Sequence, residues 1–341
     1  MKICAATILF LFSFTYTFAF GKADSSNFYY SKAKLFQEER RWNDAENHYL
    51  KAIGFNPNNF EIQQALAHYY MELRKYKEAK PVFEKMHQLR PSDTTTLSQL
   101  ATLSYNLKKF PEASIHLSEL SKYSPSEFTD MRLAKTFLET EDYGKAIIAF
   151  ESVLKRNPAN GEAAYELARC YVESNNYKKA MPLYLQAINS SPTKHMYVYE
   201  LAMIYFGLGD YTNAIAGFEK AASLGMTKDL AYLENLGMAQ LNTKDFKTGI
   251  ATLEALLLKK PNDPDVTFLI AQAWYKNQKY EKAREMWEKV IAIDETNYRA
   301  LYMIGMTWQK TGKIAMGREI CDRAIFLDPS LAKMKQEKFN F

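Results

Sequence analysis

The side chains with the most reactive chemistry are few and scattered. The five histidines (His48, His68, His87, His116 and His195) lie far apart in the chain. None belongs to a His-Glu-x-x-His helix, and there is no P-loop, glycine-rich dinucleotide turn, calcium loop or Gly-x-Ser-x-Gly elbow. His48 and His116 hold corresponding places on the outer side of helical segments, which predicts solvated rings. Carboxylates are plentiful, but no two can be placed on one face as an acid–base pair for glycan cleavage. Asp263-Pro264-Asp265 reads as a helix start rather than a metal site. Cys4 lies in an N-terminal apolar stretch, and Cys170 and Cys321 are too far apart for a disulfide, so both read as small buried hydrophobes. The chain is therefore expected to be no enzyme and to need no cofactor or metal.

Composition narrows the partner class. Lys and Arg number 44 against 39 Asp and Glu, a net charge of +5 without basic runs. That is too weak a field to draw nucleic acid or a polybasic membrane contact. Lys2 is followed by an uncharged stretch from Ile3 to Phe20, then by the small-x-small triplet Ala19-Phe20-Gly21. Basic tip, apolar stretch and small-residue site are the parts of a secretory signal, so residues 1–21 are expected to be a signal peptide cut after Gly21. An uncleaved anchor is the alternative, because a helix of that length, at about 1.5 Å per residue, just spans a bilayer. Either way the chain works outside the cytoplasm: in the periplasm, with secretion or N-terminal anchoring as alternatives. No other segment is apolar enough to span.

What positions the remaining residues is a repeat. Small residues recur in pairs twelve apart: Ala33/Ala45, Ala67/Ala79, Ala101/Ala113, Ala134/Ala146, Ala168/Ala180, Ala202/Ala214, Gly237/Gly249, Ala271/Ala283 and Gly305/Gly317. Successive pairs advance by 34 residues, with one step of 33 and one of 35. Seven of the nine repeats then carry a proline another twelve residues on: Pro57, Pro91, Pro125, Pro158, Pro192, Pro261 and Pro329; Met226 and Glu295 take its place in the other two. Within a repeat the apolar spacing is that of two helices. The small pair allows the helices to cross closely, and the proline ends the second helix. Rings such as Tyr49, Phe83, Phe150, Tyr184, Phe218 and Trp287 on second helices must be buried by stacking on neighbouring repeats.

Length, small pair, aromatics and closing proline together resemble the tetratricopeptide repeat family over nearly the whole chain after residue 21. The resemblance implies an all-α, right-handed superhelical solenoid whose first helices line a concave protein-binding groove. The expected repeats are 26–59, 60–93, 94–126, 127–160, 161–194, 195–229, 230–263, 264–297 and 298–331. A linker at 22–25 precedes them, and a capping helix or tail at 332–341, with Ser330 as its N-cap, follows. Interior glycines at Gly237 and Gly249 predict a soft joint around Gly225 to Gly249.

On the family geometry, the second, fifth, ninth, twelfth and thirteenth places of each first helix face the groove. These places are mostly polar in the first three repeats and richly apolar in the last six. The expected partner-binding residues are Phe128, Met131, Tyr165, Arg169, Met196, Tyr199, Met203, Phe206, Met238, Phe268, Tyr275, Tyr302 and Met306. Apolar surface of this kind marks an interaction site, and methionine suits varied apolar clients. The Lys/Asn clamp by which some family members grip a chaperone's C-terminal carboxylate is absent: Lys34, Lys135 and Arg169 are followed by Glu38, Glu139 and Glu173. The expectation is an exported scaffold that holds a protein or peptide segment of another envelope protein. A membrane-anchored structural subunit of an envelope secretion, polysaccharide-export or assembly complex is the alternative.

Overall fold

The computed structural model describes residues 22–335. Residues 1–21, where the signal peptide is expected, and residues 336–341, which hold most of the expected capping helix or tail, lie outside them. The described residues up to Arg156 form one compact unit and those from Asn157 on a second.

The first compact unit is built of α1 (Lys22–Glu38), α2 (Trp42–Phe55), α3 (Phe60–Glu72), α4 (Tyr76–Leu89), α5 (Thr94–Asn106), α6 (Phe110–Tyr123), α7 (Glu127–Glu139) and α8 (Tyr143–Arg156). The second is built of α9 (Gly161–Glu173), α10 (Tyr177–Ser190), α11 (His195–Gly207), α12 (Tyr211–Ser223), α13 (Leu230–Asn242), α14 (Phe246–Lys259), α15 (Pro264–Lys276), α16 (Tyr280–Ile293), α17 (Tyr298–Lys310) and α18 (Ile314–Leu327). A 3-10 segment, Pro329–Lys335, follows. Every described element is helical, and the closest packing is between the two helices of each repeat. No helix among the described residues is long and apolar enough to cross a membrane.

Local chemistry sets the boundaries. Seven first helices start on a short polar side chain that accepts from a backbone N–H three residues on, whereas α11, after Lys194, has no side-chain cap. The seven are Asn59, Asp93, Ser126, Asn160, Asp229, Asp263 and Asn297. Asp263 is thus a cap, as its sequence context indicated. The turn inside every repeat carries one residue with positive φ: Arg40, Arg74, Lys108, Glu141, Asn175, Gly209, Lys244, Gln278 and Gly312. Second helices end where the closing proline holds the preceding residue extended, as at Asn56 (φ −139°) and Arg90 (φ −139°). In the sixth repeat, where Met226 replaces proline, Gly225 at φ +98° ends the helix instead.

The core runs through the crossings. Tyr49, Phe83, Phe150, Tyr184, Phe218 and Trp287 are all essentially sealed from solvent, and the alanine pairs beside them are buried. Gly237 and Gly249 are close-packed. A Cβ on Gly237 would lie 2.8 Å from Leu253 Cδ2, and one on Gly249 would lie 2.7 Å from Leu241 Cδ2. These glycines allow a tight crossing of α13 and α14, and the break between compact units falls after Arg156 instead of near them.

Two other expectations change. Residues 22–25 are helical, since α1 already begins at Lys22. The terminal segment winds as a 3-10 helix from Pro329, and the Asp328 carboxylate, not Ser330, accepts the freed N–H of Ser330 at 3.0 Å. Leu331 and Met334 pack it onto the core of the last repeats.

The histidines also differ from expectation. His48 lies against Phe36, at 4.8 Å between ring centroids, and its Nδ1 is 2.7 Å from the Asp44 carbonyl. His116 meets His87 edge to face at 6.1 Å, and His87 Nε2 lies 3.4 Å from Glu119. Burial, and then His87 beside it, hold His116 below the usual imidazole range, although Glu119 and Glu112 pull the other way. A base depressed in the folded state binds fewer protons there than when unfolded. Stability should therefore fall as pH drops below the ordinary imidazole pKa. Thermal melts of the full chain at pH 7.5 and 5.5 should show this fall, and His116→Gln should reduce it.

Candidate functional site

In the first compact unit, the large apolar side chains exposed on first helices are Phe28 and Leu35 on α1 and Phe128 on α7. Phe128 stands 67% exposed on α7, with the Arg132 guanidinium 5.5 Å from its ring centroid. Arg132 also donates to Thr102 Oγ1 at 3.0 Å, so the ring and cation form a fixed surface feature. Met131 is half-buried beside them.

The second compact unit has two open clefts on its first-helix side. The smaller, of about 400 Å³, is lined by Arg169, Val172, Glu173, Tyr177, Tyr184, Glu200, Met203, Ile204, Gly207 and Leu208. Glu200 organises its wall. It accepts from Tyr165 Oη at 2.6 Å and from Tyr184 Oη at 2.7 Å, joining three helices. Burial, reinforced by that carboxylate, pushes both phenol pKa values up, so both remain donors. Arg169 is held by Glu166 at 2.9 Å. Its guanidinium carbon lies 5.7 Å from the Tyr165 ring centroid.

The larger cleft, of about 1160 Å³, is bounded by α13, α15, α17 and α18. Leu241, Phe246, Tyr275, Tyr280, Tyr302, Met306 and Met334 supply its apolar lining. Tyr275 stands edge-on to Tyr280 at 5.3 Å and packs 5.7 Å from Trp287. Burial pushes its hydroxyl up to about 12. Asn242, Lys244, Lys276, Gln278, Gln309, Lys310, Arg318, Cys321 and Asp322 complete the lining.

The structure sorts the residues expected at a groove. Arg169 and Met203 meet in the smaller cleft, and Tyr275, Tyr302 and Met306 in the larger. Met196 is exposed and Met238 half-buried, outside both. Tyr199 and Phe206 are half-buried, and their rings pack tilted against Phe218. Three are predominantly packing residues: Tyr165 (9% exposed), Phe268 (8%) and Tyr302 (2%). Each stands at the fifth place. Tyr165 is covered by Tyr197 at 4.3 Å, Phe268 by Arg299, whose guanidinium carbon lies 5.0 Å from the ring centroid, and Tyr302 by the Cys321 and Leu331 cluster. Periodicity did not single out Lys244, Lys276, Lys310 and Arg318, although Lys276 and Lys310 recur at one place in successive repeats.

The polar groups of the clefts are phenols, amides, cations and the carboxylates of Glu173, Glu200 and Asp322, beside half-buried methionines and rings. Among the described residues no group of three or more His, Cys, Asp or Glu could hold a metal ion. Cys170 and Cys321 are free and buried. For Cys170, burial pushes the thiol up to about 11, which suppresses the thiolate.

Fold and site together define a helical repeat protein with open clefts on its first-helix face. Tetratricopeptide repeat models match residues 60–93 and 234–298. A model described as anaphase-promoting complex, cyclosome, subunit 3 matches residues 139–221. The chain belongs to the tetratricopeptide repeat family. Among solved structures, it resembles the C-terminal part of a TPR repeat-containing protein from Cytophaga hutchinsonii, at 18% identity and TM-score 0.53, over 67% of this chain and 94% of that one. YrrB, described as a TPR protein with an unusual peptide-binding site, aligns at 20% identity and TM-score 0.45, over 53% of this chain and 93% of its own. No curated protein matches the chain.

Proposed function

We propose that this protein is a non-catalytic scaffold that holds a segment of another protein against the first-helix face of residues 161–331. The observation that carries this reading is the pair of clefts in the second compact unit, where half-buried Met203, Tyr275 and Met306 are open to a ligand. Ligand sites are concave and mostly apolar, with a few placed polar groups; the smaller cleft has that composition, whereas polar and charged side chains make up more than half of the larger cleft's lining. Methionine adapts to differing apolar side chains, which favours a protein segment over one rigid small molecule. The leader-like residues 1–21 support action outside the cytoplasm, with a client in the cell envelope.

In-cell crosslinking of a tagged chain, with the linked residues read by mass spectrometry, tests this. Crosslinks from α11, α15 and α17 to one recurrent protein are expected, and Met203→Gln with Met306→Gln should remove most of them without loss of helicity. Unchanged crosslinking in that variant sinks the reading. A second reading, a structural subunit that docks through its second helices, draws on Leu258 and Phe326. Each is 84% exposed, and Leu258 borders a cleft of about 780 Å³ between α14 and α16. Crosslinks confined to those helices, with residues 1–21 retained as an anchor, would favour it.

A further inference from the structure

We propose that the larger cleft selects an acidic peptide segment carrying an aromatic or aliphatic anchor. The inference rests on the first-helix reading above and adds the chemistry of the occupant. Four cations line this cleft (Lys244, Lys276, Lys310 and Arg318) against one carboxylate, Asp322. In the smaller cleft the balance is reversed, with Arg169 facing Glu173 and Glu200. The excess of positive charge is thus local to one end of the face and is not a property of the whole chain.

A simpler account of the lysines would be helix ends. Lys276 and Lys310 close α15 and α17, where a cation offsets the negative end of the helix dipole. That account does not extend to the other two. Lys244 lies in the turn before α14, and Arg318 stands near the start of α18, where the dipole disfavours a cation. Lys244, Lys310 and Arg318 are exposed and make no ion pair among the described residues. Lys276 is exposed too, and partial loss of water pulls its ammonium pKa below the usual lysine range.

Register supports one extended occupant. Asn242, Lys276 and Lys310 are the last residues of three successive first helices, so they form a ladder of N–H donors, one per repeat. Tyr275 and Met306 lie beside that ladder in the same cleft. A segment following the ladder would set carboxylates on the rungs and an apolar side chain on the ring and thioether. Rim charges of this kind steer and select more than they bind, so selectivity should be strongly salt-dependent.

The test is fluorescence anisotropy on the full chain with a labelled peptide carrying Leu-Trp between runs of glutamate. Identical peptides with glutamine or with lysine in place of glutamate serve as controls. The glutamate peptide should bind at least about tenfold more tightly than the glutamine peptide at low salt, the lysine peptide not at all, and the advantage should fade as NaCl rises. Lys310→Gln with Arg318→Gln should weaken glutamate-peptide binding about tenfold, with circular dichroism unchanged because both side chains are exposed. Equal binding of the glutamate and glutamine peptides overturns the charge inference and leaves the cleft reading intact. Binding to phosphatidylglycerol vesicles without binding to the glutamate peptide overturns it as well. If no peptide binds while first-helix crosslinks persist in cells, the inference falls alone; if those crosslinks are also missing, both fall.

Discussion

Replacing Gly317 by alanine is expected to open the last helix pair, at a cost of about 2–3 kcal/mol. The sign is the informative part. In an exposed helix interior, alanine is better than glycine by roughly 0.5–1 kcal/mol. At Gly317 an added Cβ would collide with the Gly305 carbonyl oxygen and would lie 2.6 Å from Gln309 Cγ and 2.8 Å from Gln309 N. Two of these atoms are backbone, so no rotamer change relieves the clash, and α17 and α18 must separate. Gly305 is the reciprocal case, since its Cβ would come within 2.7 Å of the Gly317 carbonyl oxygen. Gly54, in α2, has nothing within 4 Å of an added Cβ. Gly54→Ala should therefore stabilise by up to about 1 kcal/mol where Gly317→Ala destabilises. Hydrogen exchange of α17 and α18, with thermal melting of both variants, checks the pair. Equal signs would mean that the helix crossing does not hold the last repeat closed.

Trp287→Ala should be the most damaging single truncation, at about 3–5 kcal/mol. Trp287 is fully buried on α16, 6.0 Å from Phe268 and 5.7 Å from Tyr275 between ring centroids. It belongs to the same core cluster as Met303, Ile304 and Cys321 of the last repeat. Its loss leaves a cavity between repeats that stacked helices can only partly close. The indole Nε1 is buried without a hydrogen-bond partner among the described residues. Trp287→Phe should accordingly cost far less than alanine, because it removes an unsatisfied donor while keeping a ring. Denaturant unfolding of the three proteins gives both differences. Because Trp287 backs Tyr275 in the larger cleft, the alanine variant should also lose peptide binding, whereas the phenylalanine variant should retain it.

Much of the architecture was legible because it is periodic. The pairing of Ala168 with Ala180 and the proline two residues beyond α10 report the crossing and the helix end directly, without knowledge of the neighbours. The sites were less legible because they form between places that do not share a phase. His87 and His116 are 29 residues apart and Tyr165 and Glu200 are 35 apart, so aligning repeats by their common step never sets either pair side by side. Periodicity also treats Tyr165, Phe268 and Tyr302 as equivalent to more exposed fifth-place residues. Their burial depends on what each adjoining segment places over the ring. The cations of the larger cleft escaped for a related reason. Lys244 and Arg318 come from a turn and a second helix, and only the folded chain brings them to the first-helix ends.

The left-handed turn residues carry a consequence for how evenly this array is loaded. A residue with a side chain held at positive φ forgoes about 1 kcal/mol, less for asparagine, whereas glycine forgoes nothing there. Seven of the nine turns bear that penalty and two, at Gly209 and Gly312, do not. The sum over seven turns rivals the net stability of a small domain. A chain regular in spacing is therefore irregular in stored energy: the sixth and ninth helix pairs are relaxed at their turns, and the others are held under tension by their neighbours.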